Sequence, residues 1–387
     1  MTRLNAVKLI AVAAAVAAIA VSGKEFKDMW NFKEPSVIGP QTVVKTLSDY
    51  EPTMKGSTND SNIYIIDSGK PGGTVMVLGG THPEEPASNI STALLLENAK
   101  LDKGRMIIVN RANRSASLGT RSGEAYPSYD HVKTPWGEKT WRTGDRAANP
   151  LDSWPDPEVY IHYPSRQMLA YMDIRNLNRT WPGRKDGLIA ERTTHALMNL
   201  IKKEKVDLVM DLHEAELEYP VINTIVTHEK GQDVAAMTSM GLTANEFKVP
   251  LNMEFSPKAL HGLSHREIGD HSKAASILFE VAEPFLDRIR GITDEKLLMT
   301  GKDDFVRKAG EHKLLYSPID EKGWPIDTRV GRHVSTVLEA IKNFSDLHPD
   351  KAVVVEGVPR YKEIIKKGLG TFFKNPAEAP KDKVVYD

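Results

Sequence analysis

The chain contains no cysteine. That absence excludes disulfides, thiolate metal ligands and cysteine nucleophiles together, so any metal must be held by histidine and carboxylate side chains. The chain also lacks an excess of charge of either sign. Its 51 Lys and Arg against 52 Asp and Glu leave a formal net charge of -1, so no global basic excess draws it to phosphate backbones, and no nucleic-acid partner is expected. No apolar run reaches the roughly 18 to 20 residues that a spanning helix needs. A shorter one lies near the start, where Arg3 and Lys8 precede an uninterrupted apolar stretch from Leu9 to Val21, followed by Ser22, Gly23 and a charged segment. This is the layout of a secretory signal, with Ala18, Ala20 and Gly23 as small residues at candidate cleavage positions. Residues 1–23 are therefore expected to be a signal peptide or, if uncleaved, a membrane anchor. Either way the body of the protein is expected outside the cytoplasm, periplasmic or secreted. No internal repeat or low-complexity tract follows.

The chain does have length and apolar content: 387 residues, 40% of them hydrophobic, enough for a sizeable core in one large domain or two ordinary ones. Asn62 to Asp67 (NIYIID), Thr74 to Gly80 (TVMVLGG) and Gly104 to Asn110 (GRMIIVN) read as strands, and Ser88 to Ala99 shows helical apolar spacing behind a possible Ser88 cap. Further on, Ile189 to Lys205 reads as an amphipathic helix, Val206 to His213 (VDLVMDLH) as a strand, and Ala275 to Val281 (ASILFEV) as another short apolar run. Strands alternating with helices indicate an α/β domain with a mixed, largely parallel sheet flanked by helices. This main domain is expected over residues 24–300. Between Ser115 and Leu169 the pattern lapses into a polar, Pro- and Trp-containing stretch, far longer than the ~4 to 6 residues usual between elements. Trp136, Trp141 and Trp154 argue for an ordered covering loop or lid, since disordered segments are poor in aromatics. Surface decoration is the plainer reading. Residues 301–387 are expected to form a helical extension, with helices at Arg332 to Phe344 and Arg360 to Phe373, ending in a loose tail.

In open sheets ligands bind outside the carboxyl ends of the strands, and His82, His213 and Glu280 all sit at or just beyond such ends. The segment Leu78 to Ala87, LGGTHPEEPA, ends an apolar run with Gly79 and Gly80 and then sets out His82 and Glu85 three positions apart. A hydrolytic zinc site needs three protein ligands and one open position for water, and His, His and Glu without thiolates are one solution. His213, in VMDLHEAE, is the best third ligand, and Asp211 on the same side of its strand could orient a ligating histidine. Taken alone, a strand-end histidine is more often a hydrogen-bonded structural residue. HEAEL also lacks the second histidine of the HExxH zinc helix.

Four motifs occur in order: THPEE, then RNLNRTWPG (Arg175 to Gly183), DLHE (Asp211 to Glu214) and ILFEVAE (Ile277 to Glu283). Together they resemble the zinc carboxypeptidase superfamily, and more closely its aspartoacylase and succinylglutamate desuccinylase branch, over roughly Ile63 to Pro284 with the long loop as an insertion. The resemblance implies that His82, Glu85 and His213 hold one Zn2+ per chain. It makes Glu280 the general base that takes a proton from the attacking water and passes it to the leaving nitrogen; Glu283 is the rival. Asn178 and Arg179 would grip the substrate's free carboxylate, a task that suits the Arg fork. A further arginine would stabilise the oxyanion, with Arg121 favoured over Arg175. The chain departs from the branch in having Pro83 and Glu84 between the first two ligands, Asn176 where Asp is common, and a helical C-terminal region in place of a β-rich cap. His261, His265 and His271 fit no tight ligand set, and a substrate-facing loop is the better reading there, with His265 as its contact.

The implied activity is hydrolysis of an amide bond beside a free carboxylate, on a small-molecule or peptide substrate, in the manner of an N-acyl amino acid deacylase. The alternatives are an exported metallocarboxypeptidase acting on peptides or cell-wall stem peptides, and a non-catalytic envelope protein that binds zinc or carboxylates.

Overall fold

The computed structural model describes residues 3–119, 127–285 and 293–387, and divides into two compact units, Met1–Glu34 and Pro35–Asp387. The first unit is a single helix, α1 (Arg3–Asn31). It extends the apolar run through the charged segment that follows, and its 29 residues make it long and apolar enough to cross a membrane by length and composition.

The second unit is built on an eight-stranded mixed sheet. In chain order its strands are β1 (Thr42–Thr46), β2 (Asn62–Asp67), β3 (Thr74–Leu78), β4 (Arg105–Val109), β5 (Leu208–Glu216), β6 (Thr224–Thr227), β7 (Asn252–Phe255) and β8 (Ala275–Glu283). Their spatial order is β7-β6-β8-β5-β3-β4-β2-β1. The centre is parallel, β8 with β5, β5 with β3 and β3 with β4. Antiparallel pairing enters where β6 meets β8 and on the side of β2. The central strands are apolar almost without interruption, as burial on both faces requires.

Side-chain alternation sorts those residues into two cores. Val75, Val77, Met106, Ile108, Met210, Leu212, Ile277 and Phe279 face one way. There they meet α2 (Pro86–Asn98), α4 (Gln232–Asn245) and α6 (Ile326–Leu347), whose Val330, Val334, Val337 and Ile341 follow the helical three-and-four spacing. Met76, Leu78, Ile107, Val109 and Val209 face the other way, toward α3 (Ile189–Lys203), with its buried Leu197 and Ile201, and Ile268 of α5 (Ser264–His271).

The 115–169 stretch contains an antiparallel hairpin, Tyr129–Thr134 with Gly137–Arg142. The hairpin is anchored to the C-terminal segment: the Trp136 indole N–H donates to Phe373 O at 3.0 Å, and the Trp141 ring stands edge-on to Phe373 at 5.0 Å. Residues 301–387 pack into the same core through α6, with α7 (Tyr361–Lys367) against it. The expected loose tail is instead a strand, Val384–Tyr386, paired with Pro35–Val37, and the Asn110 amide donates to Asp387 at 2.7 Å.

Candidate metal centre

Strand β3 and helix α2 are joined by a turn that only glycine permits at two positions. A Cβ on Gly79 would lie 2.5 Å from Thr92 Oγ1 and one on Gly80 2.5 Å from Asn89 Oδ1, and Gly80 has a φ of 64°. The helix can thus start directly under the strand end, with Pro86 at its first position and Glu85 as its cap residue. The expected Ser88 cap lies inside the helix, where its hydroxyl donates to Glu85 O at 2.8 Å.

The turn brings His82 and Glu85 onto the carboxyl edge of the sheet, where β5 delivers His213. One ligand atom from each of the three lies within 4.8 Å of the others, and all three residues are buried. Glu85 is the hub: its Oε1 is 2.7 Å from His82 Nδ1 and its Oε2 3.0 Å from His213 Nδ1. Each imidazole is held from behind at its other nitrogen. Asn176 Oδ1 is 2.9 Å from His82 Nε2, and Asp211 Oδ2 is 3.1 Å from His213 Nε2. Asp211 is itself fixed by hydroxyl donors, Thr81 at 2.8 Å and Ser264 at 2.6 Å. At His82 the hydrogen bond to Asn176 fixes tautomer and orientation, whereas at His213 the Asp211 contact is electrostatic, since Nε2 makes no hydrogen bond. A donor set of two imidazoles and a carboxylate converging at a cavity, with no thiolate, fits a divalent ion of the zinc type.

The electrostatics are those of a closely coupled cluster. Burial opposes ionisation of Glu85, but the two imidazoles outweigh it and hold its carboxyl well below the usual range. Burial also lowers His82. For His213 burial acts in the same sense, but Asp211 and Glu85 prevail and raise it.

A cavity of about 540 Å³ opens onto this cluster, and Asn178, Arg179, His265 and Glu280 also line it. Glu280 sits directly beside His213 in the β5–β8 register. Its Oε2 is shielded from solvent without a hydrogen-bond partner, and burial first, then Glu85, pushes its carboxyl up to about 8. Glu283, three residues on, falls on the opposite face of the sheet, fully buried and outside the cavity lining. Asn178 and Arg179 are wired to the ligands, because Asn176 Oδ1 accepts both from Asn178 N–H at 2.9 Å and from the His82 imidazole. Asn178 Oδ1 in turn accepts from Ser264 N–H at 2.8 Å. Burial disfavours the charged form of Arg179.

Of the two upstream arginines considered for the oxyanion, Arg121 lies outside the described residues. Arg175 is placed elsewhere: its Nε is 3.2 Å from Asp156 Oδ1, and it does not line the cavity. Among the described residues, the cationic side chain that reaches the ligands is one that sequence reasoning missed, Arg146. Its Nε donates to Glu84 Oε1 at 2.9 Å and its Nη2 lies 3.5 Å from Glu85 Oε1. The unexpected acid at position 84 was its signal, since a second buried carboxylate beside a ligand calls for a cation. His265 belongs to a helix rather than a loop, and it lines the cavity with Nδ1 2.8 Å from Ser256 Oγ. Trp136 and Trp141 do not line the cavity, and Trp154 is 76% exposed. The outer walls come from the segments after β5 and β7, through Tyr219, Pro257 and Leu260.

No family model and no curated protein matches the chain. Solved structures do. A metallo-carboxypeptidase from Burkholderia cenocepacia is similar over 80% of this chain and 66% of its own, with 13% identity and a TM-score of 0.45. An aspartoacylase family protein from Mesorhizobium loti is similar over 65% and 63%, with 17% identity and a TM-score of 0.36. A succinylglutamate desuccinylase from Silicibacter is similar over 57% and 53%, with 16% identity and a TM-score of 0.34. This chain spans less than two thirds of the length of each.

Proposed function

We propose that this chain is a zinc-dependent hydrolase that cleaves an amide bond beside a free carboxylate, in the manner of an N-acyl amino acid deacylase. The observation that carries the reading is the convergence of His82, Glu85 and His213 at one cavity with Glu280 as register neighbour of His213. When bound, zinc supplies Lewis acidity and brings the pKa of its water toward ~7.

The chain's own residues supply the rest. Arg179 and Asn178 hold the substrate carboxylate, so the scissile carbonyl is presented at a fixed distance from the ligand cluster. Arg146, reaching Glu85 from the cavity side, offers positive charge to the carbonyl oxygen as it becomes anionic. Glu280 accepts a proton from the attacking water and returns it to the leaving nitrogen. A carboxyl raised by burial is a good donor for the return step, and a divalent cation held by His82, Glu85 and His213 would lower it again, so that the carboxylate is ionised to accept the proton first. Export, with residues 1–23 as cleaved signal or tether, is part of the proposal and is supported by the long apolar α1.

One observation favours peptides as substrates, the second reading. The cavity's volume, about 540 Å³, extends to Glu218, Tyr219, Glu254 and Phe255, leaving room for more than an acyl group. Mass spectrometry of a pooled panel separates the readings: N-acyl amino acids, short peptides with free C-termini and cell-wall stem peptides, incubated with zinc-loaded protein. Loss of an acyl group from an amino acid supports the deacylase, and release of a C-terminal residue supports the carboxypeptidase. No cleavage of any member would overturn both in favour of a binding protein.

A further inference from the structure

A second cavity, of about 720 Å³, lies among the C-terminal elements and shares no lining residue with the candidate metal centre. Arg332 of α6 lines it and is itself only 3% exposed. The guanidinium is held by neutral partners: Nη1 donates to Val249 O at 3.0 Å, Nη2 to Pro250 O at 3.4 Å, and its face lies 4.2 Å from the Phe247 ring centroid and 5.6 Å from that of Trp324. Its Nε is buried with no hydrogen-bond partner. Among the described residues no carboxylate forms an ion pair with it, and burial brings its pKa down to about 10 with only Tyr361 opposing.

The acids that line the cavity are committed elsewhere. Glu246 receives Arg360 at 2.7 Å and the Ser335 hydroxyl at 2.7 Å, Asp327 accepts from Leu369 N–H at 3.2 Å, and Asp320 accepts from Lys322 N–H at 2.8 Å. A buried charge is ordinarily paired, and here the open space beside it is where an anion fits. The other walls suit an organic body: Trp324, Ile319, Tyr361 and Ile365 are apolar or aromatic, and Lys248 and Lys322 stand exposed at the mouth.

We propose that this cavity is a second ligand site, for a small organic carboxylate whose apolar body lies against Trp324, Tyr361 and Ile365 and whose carboxylate is directed to Arg332. The two mouth lysines raise the local anion concentration and speed entry.

The test is 19F NMR line broadening of 4-fluorobenzoate, with 4-fluorobenzamide as its uncharged counterpart, on the full-length chain in detergent micelles against a micelle blank. Saturable broadening is expected for the carboxylate and none for the amide. Lys248→Glu with Lys322→Glu, two exposed positions outside the core, should weaken binding about 3- to 10-fold. Arg332→Met should abolish it, and Arg179→Gln should leave it intact. Failure of the carboxylate to bind, equal binding of the amide, or an unchanged affinity in the lysine pair would overturn the proposal. So would loss of binding in Arg179→Gln alone, which would put the anion at the metal centre. If Arg332→Met does not fold, the lysine pair decides.

Discussion

Replacing Arg329 with Met should be the most damaging single change outside the ligand cluster. Arg329 lies on α6 and Glu214 directly follows His213 on β5, both side chains 0% exposed and paired at 2.7 Å. The guanidinium also donates to Trp324 O at 2.9 Å and to Leu298 O, and it stacks on Phe285 at 4.8 Å. The other Glu214 oxygen accepts from Ala87 N–H at 2.7 Å, while Glu214 N–H donates to Glu85 Oε2 at 3.0 Å. The pair therefore ties a C-terminal helix to the first turn of α2 and to the hub of the candidate site. Removing the cation leaves a buried carboxylate with one backbone donor, a loss of about 3–5 kcal/mol. Neutralising both partners, Arg329→Met with Glu214→Gln, should cost clearly less than the sum of the two single changes, because no charge is then stranded. The penalty of Arg329→Met alone should shrink as pH falls toward the carboxylate range, since a protonated Glu214 carries no charge to strand. Equilibrium urea denaturation of the four proteins in the cycle measures this. A loss under ~1 kcal/mol for Arg329→Met, the size of an exposed pair, would refute the claim that the pair is a buried clamp.

Other outcomes follow from single residues. Glu204 binds Arg105 at 2.6 Å and Lys45 at 3.1 Å and accepts from the Tyr50 hydroxyl at 2.7 Å; burial opposes its charge, but these partners bring its carboxyl to about 2. A carboxyl lowered on folding stabilises above its unfolded pKa, so this contribution should fade as pH falls from about 4.5 to 2. Glu204→Gln should remove that limb of the pH–stability curve, worth about 1–2 kcal/mol after solvent screening. Gly262 has a φ of 86°, and a Cβ there would lie 2.3 Å from Arg179 O. Gly262→Ala should cost about 1–3 kcal/mol in denaturation, with Arg179 displaced. Protein dialysed against metal-free buffer should retain about one zinc per chain by elemental analysis, and His213→Ala should lose it.

Much of this architecture was legible because hydrophobic runs and glycines report directly on burial. TVMVL, GRMIIV and ASILFEV are strands close to where the alternation of patterns sets them, because a two-sided sheet admits little else. The pair His82 and Glu85 was visible from its short spacing, and His213 from its position at a strand end. Arg146 was not, because a side chain inside the insertion, 62 positions from the Glu84 it pairs with, leaves no periodicity. Its only trace was the buried Glu84, whose partner could not be named in advance. Asn176 stood out as a departure from the pattern of the branch, and the structure gives it work: one side-chain oxygen accepts from both His82 and Asn178. The insertion's tryptophans were legible as ordered but not as to where, since an aromatic that covers a site and one that anchors a hairpin read alike. The strand formed by Val384–Tyr386 escaped notice because three residues are too few to show alternation.

The central claim is that Glu280 moves the proton at a metal held by His82, Glu85 and His213. The direct measurement is turnover and bound zinc in the same preparations of the wild-type chain and Glu280→Gln, using whichever member of the substrate panel is cleaved. The account predicts equal zinc content and loss of turnover by at least ~100-fold. Turnover within a few-fold of wild type, at equal zinc content, would contradict it.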